Sequence, residues 1–437
     1  MAGISDGDSR AAVRRERLIL LILAAVQFTT IVDFMIVMPL GPQLMRTLQI
    51  GPAEFGLIVS SYTFAAGLSG LVASSIVDRF PRRTSFLVLY SGFLLGTLLC
   101  AISPTYHTLV AARIATGAFG GVLGGMAMTI IGDVVPEERR GRATGSLMTG
   151  FALASVAGVP LGLFLGTNYG WQVPFIALVI AGVPILFLAP FAMPRLDGHV
   201  HQVHAHPLRS LTETFSFASH LNAFALTVAL MMGSFTVFPY VSTYFVSNVG
   251  LTEQQLPLIY VVGGGLTLFT ASAIGKLTDH WGALTVFRTI SPISALLLLA
   301  ITHLPHVAVS VAVVVFGSLM VSNVGRMIAA MTMITSSVER HRRGGFLSAN
   351  SSVQHIASGM GAYVGGIIIS ESENGLLERF GLVGWIAAGS TLISLWLAGR
   401  IRSLEVTPGL AETISLGAAA EATVDASEPI AAAIEEC

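Results

Sequence analysis

Apolar residues in this chain come in long unbroken runs, without the short alternation of a soluble strand or amphipathic helix. Twelve runs stand out, at roughly 18–45, 53–77, 84–103, 106–134, 143–168, 171–193, 219–248, 254–277, 283–303, 306–336, 346–370 and 381–400. A helix needs about 20 mostly apolar residues to cross a hydrocarbon layer about 30 Å thick. Inside lipid only helices and closed barrels satisfy their own backbone polar groups, and runs of this length are helical. The pattern therefore predicts an all-α membrane protein with twelve transmembrane helices.

Polar residues sit between the runs and divide the chain. Residues 1–17 form a polar N-terminal segment carrying Arg10, Arg14, Arg15 and Arg17, and 18–193 hold six runs. Residues 194–218, with Pro194, Pro207 and four histidines, read as a cytoplasmic linker; 219–403 hold six more runs, and 404–437 form an Ala- and Glu-rich tail expected to be disordered. The first run is longer than a signal-peptide core and has no small-residue cleavage site, so it reads as a retained helix. With the N-terminus inside, 18 of the 23 Lys and Arg fall in cytoplasmic segments, and only Arg46 and Arg379 fall outside. The positive-inside rule thus predicts both termini in the cytoplasm.

Two charged turns recur. Asp78-Arg79-Phe80-Pro81-Arg82-Arg83 follows the second run, and Asp279 follows the eighth, 201 residues later. Arg140-Gly141 follows the fourth run, and Arg343-Gly344 follows the tenth, 203 residues later. One device at one offset predicts two six-helix pseudo-repeat halves in parallel orientation.

Composition narrows the function. Charged residues make up 11% of the chain and the net charge is −1, which argues against nucleic acid as a partner. Cys100 and Cys437 give no disulfide framework. His199, His201, His204 and His206 cluster in the linker without a completing acid or cysteine set, so a solvated linker and no metal site is the reading. No GxxxxGK[ST] sequence supports ATP drive, and no nucleophile–base set supports an enzyme.

The 78–83 turn, its second copy Gly275…Asp279…Gly282, and Arg113 with Gly117 in the fourth run resemble motifs of the major facilitator superfamily. The resemblance covers nearly all of residues 15–403. Gly150, Gly158-Val159-Pro160-Leu161-Gly162 and Gly166 resemble that family's antiporter-linked glycine–proline motif, with Val159 intervening. Val32-Asp33 through Pro39-Leu40-Gly41-Pro42 resembles the first helix of bacterial drug- and arabinose-efflux permeases. The resemblance implies the major facilitator fold, alternating access in a bacterial inner membrane, and a monomer exporting a small organic solute against protons. A proton gradient would be the energy source, with no cofactor. It also implies a cytoplasmic latch in which Asp78 meets the start of the eleventh helix. There Arg79, Arg82 and Arg83 would hold neighbouring acids, with Asp133 the candidate partner of Arg82 or Arg79.

Asp33 is the one carboxylate deep in an apolar run, and a buried charge there implies a function and a partner. Counting along the helices puts Arg113 at similar depth. Burial disfavours the charge on Asp33 and a nearby arginine favours it, a balance suited to taking up and releasing a proton. Gln27 and Thr30 are candidates for hydrogen bonds beside it. Phe28, Phe34, Phe235, Phe238, Tyr240 and Tyr244 are candidates for an apolar cargo pocket, and His355 for titration or cargo contact. Gly117 and Gly121, with Gly125, and Gly158 and Gly162, with Gly166, have the spacing that lets helices approach closely. Pro160 and Pro239 are expected to kink their helices. The alternatives are a metabolite facilitator or proton symporter, or a transport-dead membrane sensor.

Overall fold

The structure is a computed structural model and describes residues 6–76, 79–193, 215, 217–339 and 343–401, with side chains absent from description at 6–13, 74–76, 138 and 218–219. Asp78, the linker histidines and the 404–437 tail lie outside the described residues.

The described residues are helical almost throughout. α1 (Asp6–Ile36), α2 (Gly41–Leu48), α3 (Pro52–Ile76), α4 (Arg82–Ala101) and α5 (Tyr106–Val134) come first. α6 (Arg140–Leu153), a π turn (Ala154–Gly158), α7 (Val159–Tyr169) and α8 (Val173–Ala192) complete the first half. The second half runs α9 (Ala218–Phe235), α10 (Val241–Ser247), α11 (Leu256–Trp281), α12 (Ala283–Thr302), α13 (Val309–Ser336), α14 (Arg343–Ile368) and α15 (Phe380–Ala398). A two-stranded antiparallel hairpin, β1 (Ser370–Glu371) and β2 (Leu377–Glu378), sits before α15. Asn248 clamps it, donating from Nδ2 to the Leu377 carbonyl at 3.0 Å and accepting from the Leu377 amide at 2.9 Å.

Among the described residues, eleven helical segments are long and apolar enough to cross a membrane. The eleventh predicted span is α14, 26 residues long, whose Asn350, Gln354, His355 and many Ser and Gly lower its apolarity. Its most extensive packing is on α3, so its polar side faces protein where lipid would penalise it.

Three predicted spans are interrupted. The first bends after Ile36 through a turn at 37–40, where Pro39 can neither donate a helical hydrogen bond nor let the residue before it stay helical. The seventh breaks at the 3-10 turn Phe238–Tyr240, which contains Pro239. The fifth contains the π turn directly before Pro160, a local widening that accommodates the missing donor. Two boundaries also move. Residues of the predicted N-terminal segment are already helical from Asp6, and Lys276 to His280 belong to α11, leaving Gly282 (φ 82°) as the turn.

Within each half the helices pack on one another, α3 on α5 and α4 on α5 in the first, α11 on α13 and α12 on α15 in the second. The halves meet along α3–α14 and α7–α11. The two turns at 140 and 343 carry the same contact: Arg140 Nε donates to the Val135 carbonyl at 3.1 Å, and Arg343 Nε to the Val338 carbonyl at 3.1 Å. Each arginine caps orphan carbonyls at the end of α5 or α13, where a cation also suits the helix dipole. The repeat read from spacing is thus a repeated helix cap.

The apolar core is asymmetric across the molecule. At the end away from the termini a single cluster joins both halves, from Val32, Leu44 and Phe55 to Tyr240, Phe316 and Phe380. At the termini end the core is two separate clusters, one around Phe86, Met126 and Leu147, the other around Phe224, Phe287 and Phe346. The halves are therefore closed against each other at the far end and hold separate cores at the near end.

A bidentate ion pair crosses the closed end. Arg46 of α2 donates through both terminal nitrogens to the Glu253 carboxylate, and that hydrogen bonding raises the Arg46 guanidinium above its ordinary range. It borders a cleft of about 540 Å³ lined by Met45, Gln49, Thr243 and Glu371. Arg46 is 65% exposed, so such a pair contributes only about 0–1 kcal/mol. Arg46→Glu should turn attraction into repulsion and bias the two halves towards opening at this end. We expect a cysteine at the buried Thr243 to react several-fold faster with a polar maleimide in Arg46→Glu, and the swap Arg46→Glu/Glu253→Arg to restore slow labelling. Unchanged labelling in Arg46→Glu would exclude a latch here.

Candidate functional site

Asp33 lies in the last turn of α1, three residues before the helix ends at Ile36. A carboxylate is poorly placed there, because the helix dipole is negative at that end. The compensation comes from α5. Arg113 Nη1 donates to Asp33 Oδ2 at 2.8 Å and to the Asp33 backbone carbonyl at 3.3 Å, serving both the side chain and an orphan carbonyl of the helix terminus. Both side chains are sealed, Asp33 at 0% and Arg113 at 0% exposure.

The rest of the shell comes from α3 and α4. Thr97 Oγ1 donates to Asp33 Oδ1 at 3.1 Å, with the Phe93 carbonyl 3.0 Å away as a second acceptor. The Arg113 guanidinium lies over the Tyr62 ring, 4.4 Å from its centroid, a cation–π contact that helps hold a desolvated charge. Cys100 Sγ and Thr116 Oγ1 stand 3.6 Å apart beside them. Among the described residues Arg113 Nε has no hydrogen-bond partner.

Asp33 and Arg113 are thus brought together from 80 residues apart. Thr30 is not part of the shell: its hydroxyl donates to the Val26 and Gln27 carbonyls of its own helix. Gln27 points elsewhere, its Oε1 facing the Gly124 surface of α5. Thr97 takes the role expected of these two. A lone threonine in an apolar run carries no signal of its own; only its packing against α1 reveals it.

Phe34 follows Asp33 and stacks on Tyr62 (centroids 5.3 Å) and on Phe235 of the second half (6.0 Å). It connects the ion-pair shell to the seam between the halves. Phe238 meets Phe316 edge-on at 6.5 Å and is half-buried. Tyr240 does not line a pocket. It is fully buried, donates to the Ala362 carbonyl at 2.5 Å, and packs edge-on against Phe55. Tyr244 likewise donates to the Leu304 carbonyl. His355 is half-buried on α14 and makes no hydrogen bond with a described residue.

At the termini end, Arg82 Nε and Asp133 Oδ2 form an ion pair at 3.2 Å linking α4 to the end of α5. This resolves the alternative between Arg82 and Arg79. Arg79 is exposed, and neither it nor Arg83 forms an ion pair with a described residue. Asp279 is exposed in the last turn of α11.

The packing glycines fall where helices touch. Gly158 sits on Phe28 and Val32, Gly162 on Ile36 and Gly166 on Leu40, a four-residue ladder that sets the π turn and α7 against α1 and the turn after it. Pro160 is buried within that contact. Gly117 and Gly121 pack on the backbone of Tyr62 and Ala66 in α3, whereas Gly125 has nothing within 4 Å and departs from the expected series.

The family model of the Major Facilitator Superfamily matches residues 23–327. The uncharacterized MFS-type transporter YbcL of Bacillus subtilis (strain 168) is 25% identical over 379 residues, covering 86% of this chain and 93% of that protein. The inner membrane transport protein YdhP of Escherichia coli (strain K12) is 25% identical over 371 residues, covering 83% and 91%. Among solved structures, a D-xylose-proton symporter matches with TM-score 0.73 at 13% identity, covering 88% of this chain and 97% of that one. A bacterial homolog of the human lysosomal transporter Spinster, inward-facing and occupied, matches with TM-score 0.66 at 14% identity, covering 88% and 96%. With the family model spanning most of the sequence and the same all-helical frame beneath it, the chain belongs to the Major Facilitator Superfamily and is a multi-pass, non-enzymatic membrane carrier of small molecules by secondary transport.

Proposed function

We propose that this carrier exports a small, largely apolar organic solute across a bacterial inner membrane in exchange for protons, with Asp33 as the proton-binding group. The observation that carries this reading is the Asp33–Arg113–Thr97 shell. It holds a carboxylate wholly inside the protein, with a hydroxyl able to serve both of its protonation states.

The chemistry is a hydrogen-bond exchange. While Asp33 is ionised, the single Thr97 hydroxyl proton points to Oδ1. When a proton binds Oδ1, Thr97 turns its own hydrogen to the Phe93 carbonyl and accepts the new O–H. The Arg113 contact then weakens from charge–charge to charge–dipole, with the guanidinium still supported by Tyr62. Asp33 lies in the terminal turn of α1 beside Phe34, so this change acts directly on the Phe34–Phe235 contact between the halves.

The cycle follows from this order. The state closed at the far end has Asp33 ionised and paired, and takes cargo from the termini side. After the halves rock, a proton entering from the far side neutralises Asp33 and cargo leaves. The protonated carrier returns and releases the proton. Half-buried Phe34, Phe235 and Phe238 supply apolar contact, and Gln27 a hydrogen-bonding group, for such cargo.

The test uses purified carrier in liposomes with ethidium as the amphipathic probe. A pH gradient should drive ethidium against its own gradient, and collapsing the pH difference should stop it. Thr97→Val should retain insertion and ethidium exchange but reduce pH-driven accumulation several-fold, since the hydroxyl that serves both forms of Asp33 is gone. Exchange that ignores the pH gradient in the parent protein would make the carrier a facilitator, and the proposal would fail.

A further inference from the structure

The second half contains a buried cation of its own, without the counter-charge that the first half supplies to Arg113. Arg326 lies within α13 and is 0% exposed. Its Nη1 donates to Ser294 Oγ of α12 at 2.9 Å and to Thr391 Oγ1 of α15 at 3.2 Å. Thr391 spends its own proton on the Ala387 carbonyl at 2.9 Å, so its oxygen is free to accept. Among the described residues Nε and Nη2 have no hydrogen-bond partner, and no carboxylate pairs with this guanidinium. One turn before Ser294 on the same helix, Ser291 is also fully buried, and its Oγ has no partner among the described residues.

Buried charges in proteins are paired, because desolvation without compensation is costly. Here two hydroxyls satisfy one terminal nitrogen, and hydroxyl dipoles do not neutralise a full charge. The unpaired atoms are also a particular set. Nε and Nη2 form the side edge of the guanidinium, whose parallel N–H groups grip a carboxylate or cradle a halide. Arg113 presents the contrast: a carboxylate meets its charge and an aromatic face supports it.

We propose that Arg326, with Ser294 and Thr391, forms an internal subsite for a small monovalent anion of the size of chloride or a one-carbon carboxylate. The partners come from α12, α13 and α15, whereas the halves meet along α3–α14 and α7–α11. The anion is therefore a resident of the second half, outside the Asp33 shell. Its role is to neutralise Arg326 and tie α13 to α12 and α15.

The experiment measures thermal unfolding of the purified full-length carrier at fixed ionic strength, replacing gluconate stepwise by chloride, bromide or formate. A saturable rise in unfolding temperature with a halide is expected, and a rise with formate alone would identify an organic carboxylate as the occupant of the same subsite. Arg326→Gln should lose the response, whereas Arg288→Gln, at an exposed arginine, should keep it. If Arg326→Gln does not yield folded protein, Ser294→Ala and Thr391→Val should each shift the response to higher anion concentration. No response to any of the three anions, or a response unchanged in the Arg326, Ser294 and Thr391 variants, would overturn the proposal.

Discussion

Asp33→Asn is expected to leave the carrier in the membrane and able to exchange cargo, while pH-driven accumulation falls to background. Asparagine can keep its oxygen towards Arg113 and turn its amide N–H towards the Thr97 hydroxyl, but it has no site that takes up a proton at physiological pH. The substitution also strips Arg113 of its counter-charge in a site with no exposure. Removing one partner of a buried pair costs about 3–5 kcal/mol because the other charge is left uncompensated, and removing both charges lifts that penalty. The double variant Asp33→Asn/Arg113→Gln should therefore recover much of the lost thermal stability and none of the proton coupling. Ethidium accumulation and unfolding temperature, measured on the same preparations, separate the two roles. If the double variant recovers both, the pair is structural and the proton acts elsewhere.

The part of this site that was legible in the sequence is the part carried by charge. A carboxylate and an arginine inside apolar runs are costly, and helix rise alone places them at matching depth. The repeat was legible for a similar reason, because Arg140 and Arg343 stand at helix ends where unpaired carbonyls need donors. What was not legible depends on which way a side chain turns around a helix of uncertain phase. Thr30 and Thr97 are the same residue type, and only tertiary packing turns one to its own backbone and the other to Asp33. Tyr240 shares its turn with Phe238, yet it is the tyrosine that is driven into the seam between Phe55 and α14. The interruptions near Pro39, Pro160 and Pro239 were visible as prolines, but the particular remedy at each, a bend, a π turn or a 3-10 turn, depends on neighbouring helices.

The same limit governs the second large effect, at two glycines that the sequence makes equivalent. Gly117 and Gly125 belong to one four-residue series on α5, so spacing alone assigns both to close helix packing. Their surroundings are opposite. A β-carbon at Gly117 would overlap the Tyr62 carbonyl oxygen and stand 2.9 Å from its Cα, both backbone atoms that cannot turn aside. A β-carbon at Gly125 would meet nothing within 4 Å. Overpacking costs about 1–3 kcal/mol where side chains can yield, and more where backbone must move. Gly117→Ala should therefore force α3 from α5, displace Tyr62 from beneath Arg113, and lower both unfolding temperature and transport sharply. Gly125→Ala should cost nothing and gain up to about 1 kcal/mol, the helix-propensity difference between glycine and alanine. Thermal unfolding of the two variants side by side decides the matter. Equal tolerance at both positions would mean that α3 and α5 are not in backbone contact at Tyr62, and the geometry proposed for the Asp33 shell would fall with it.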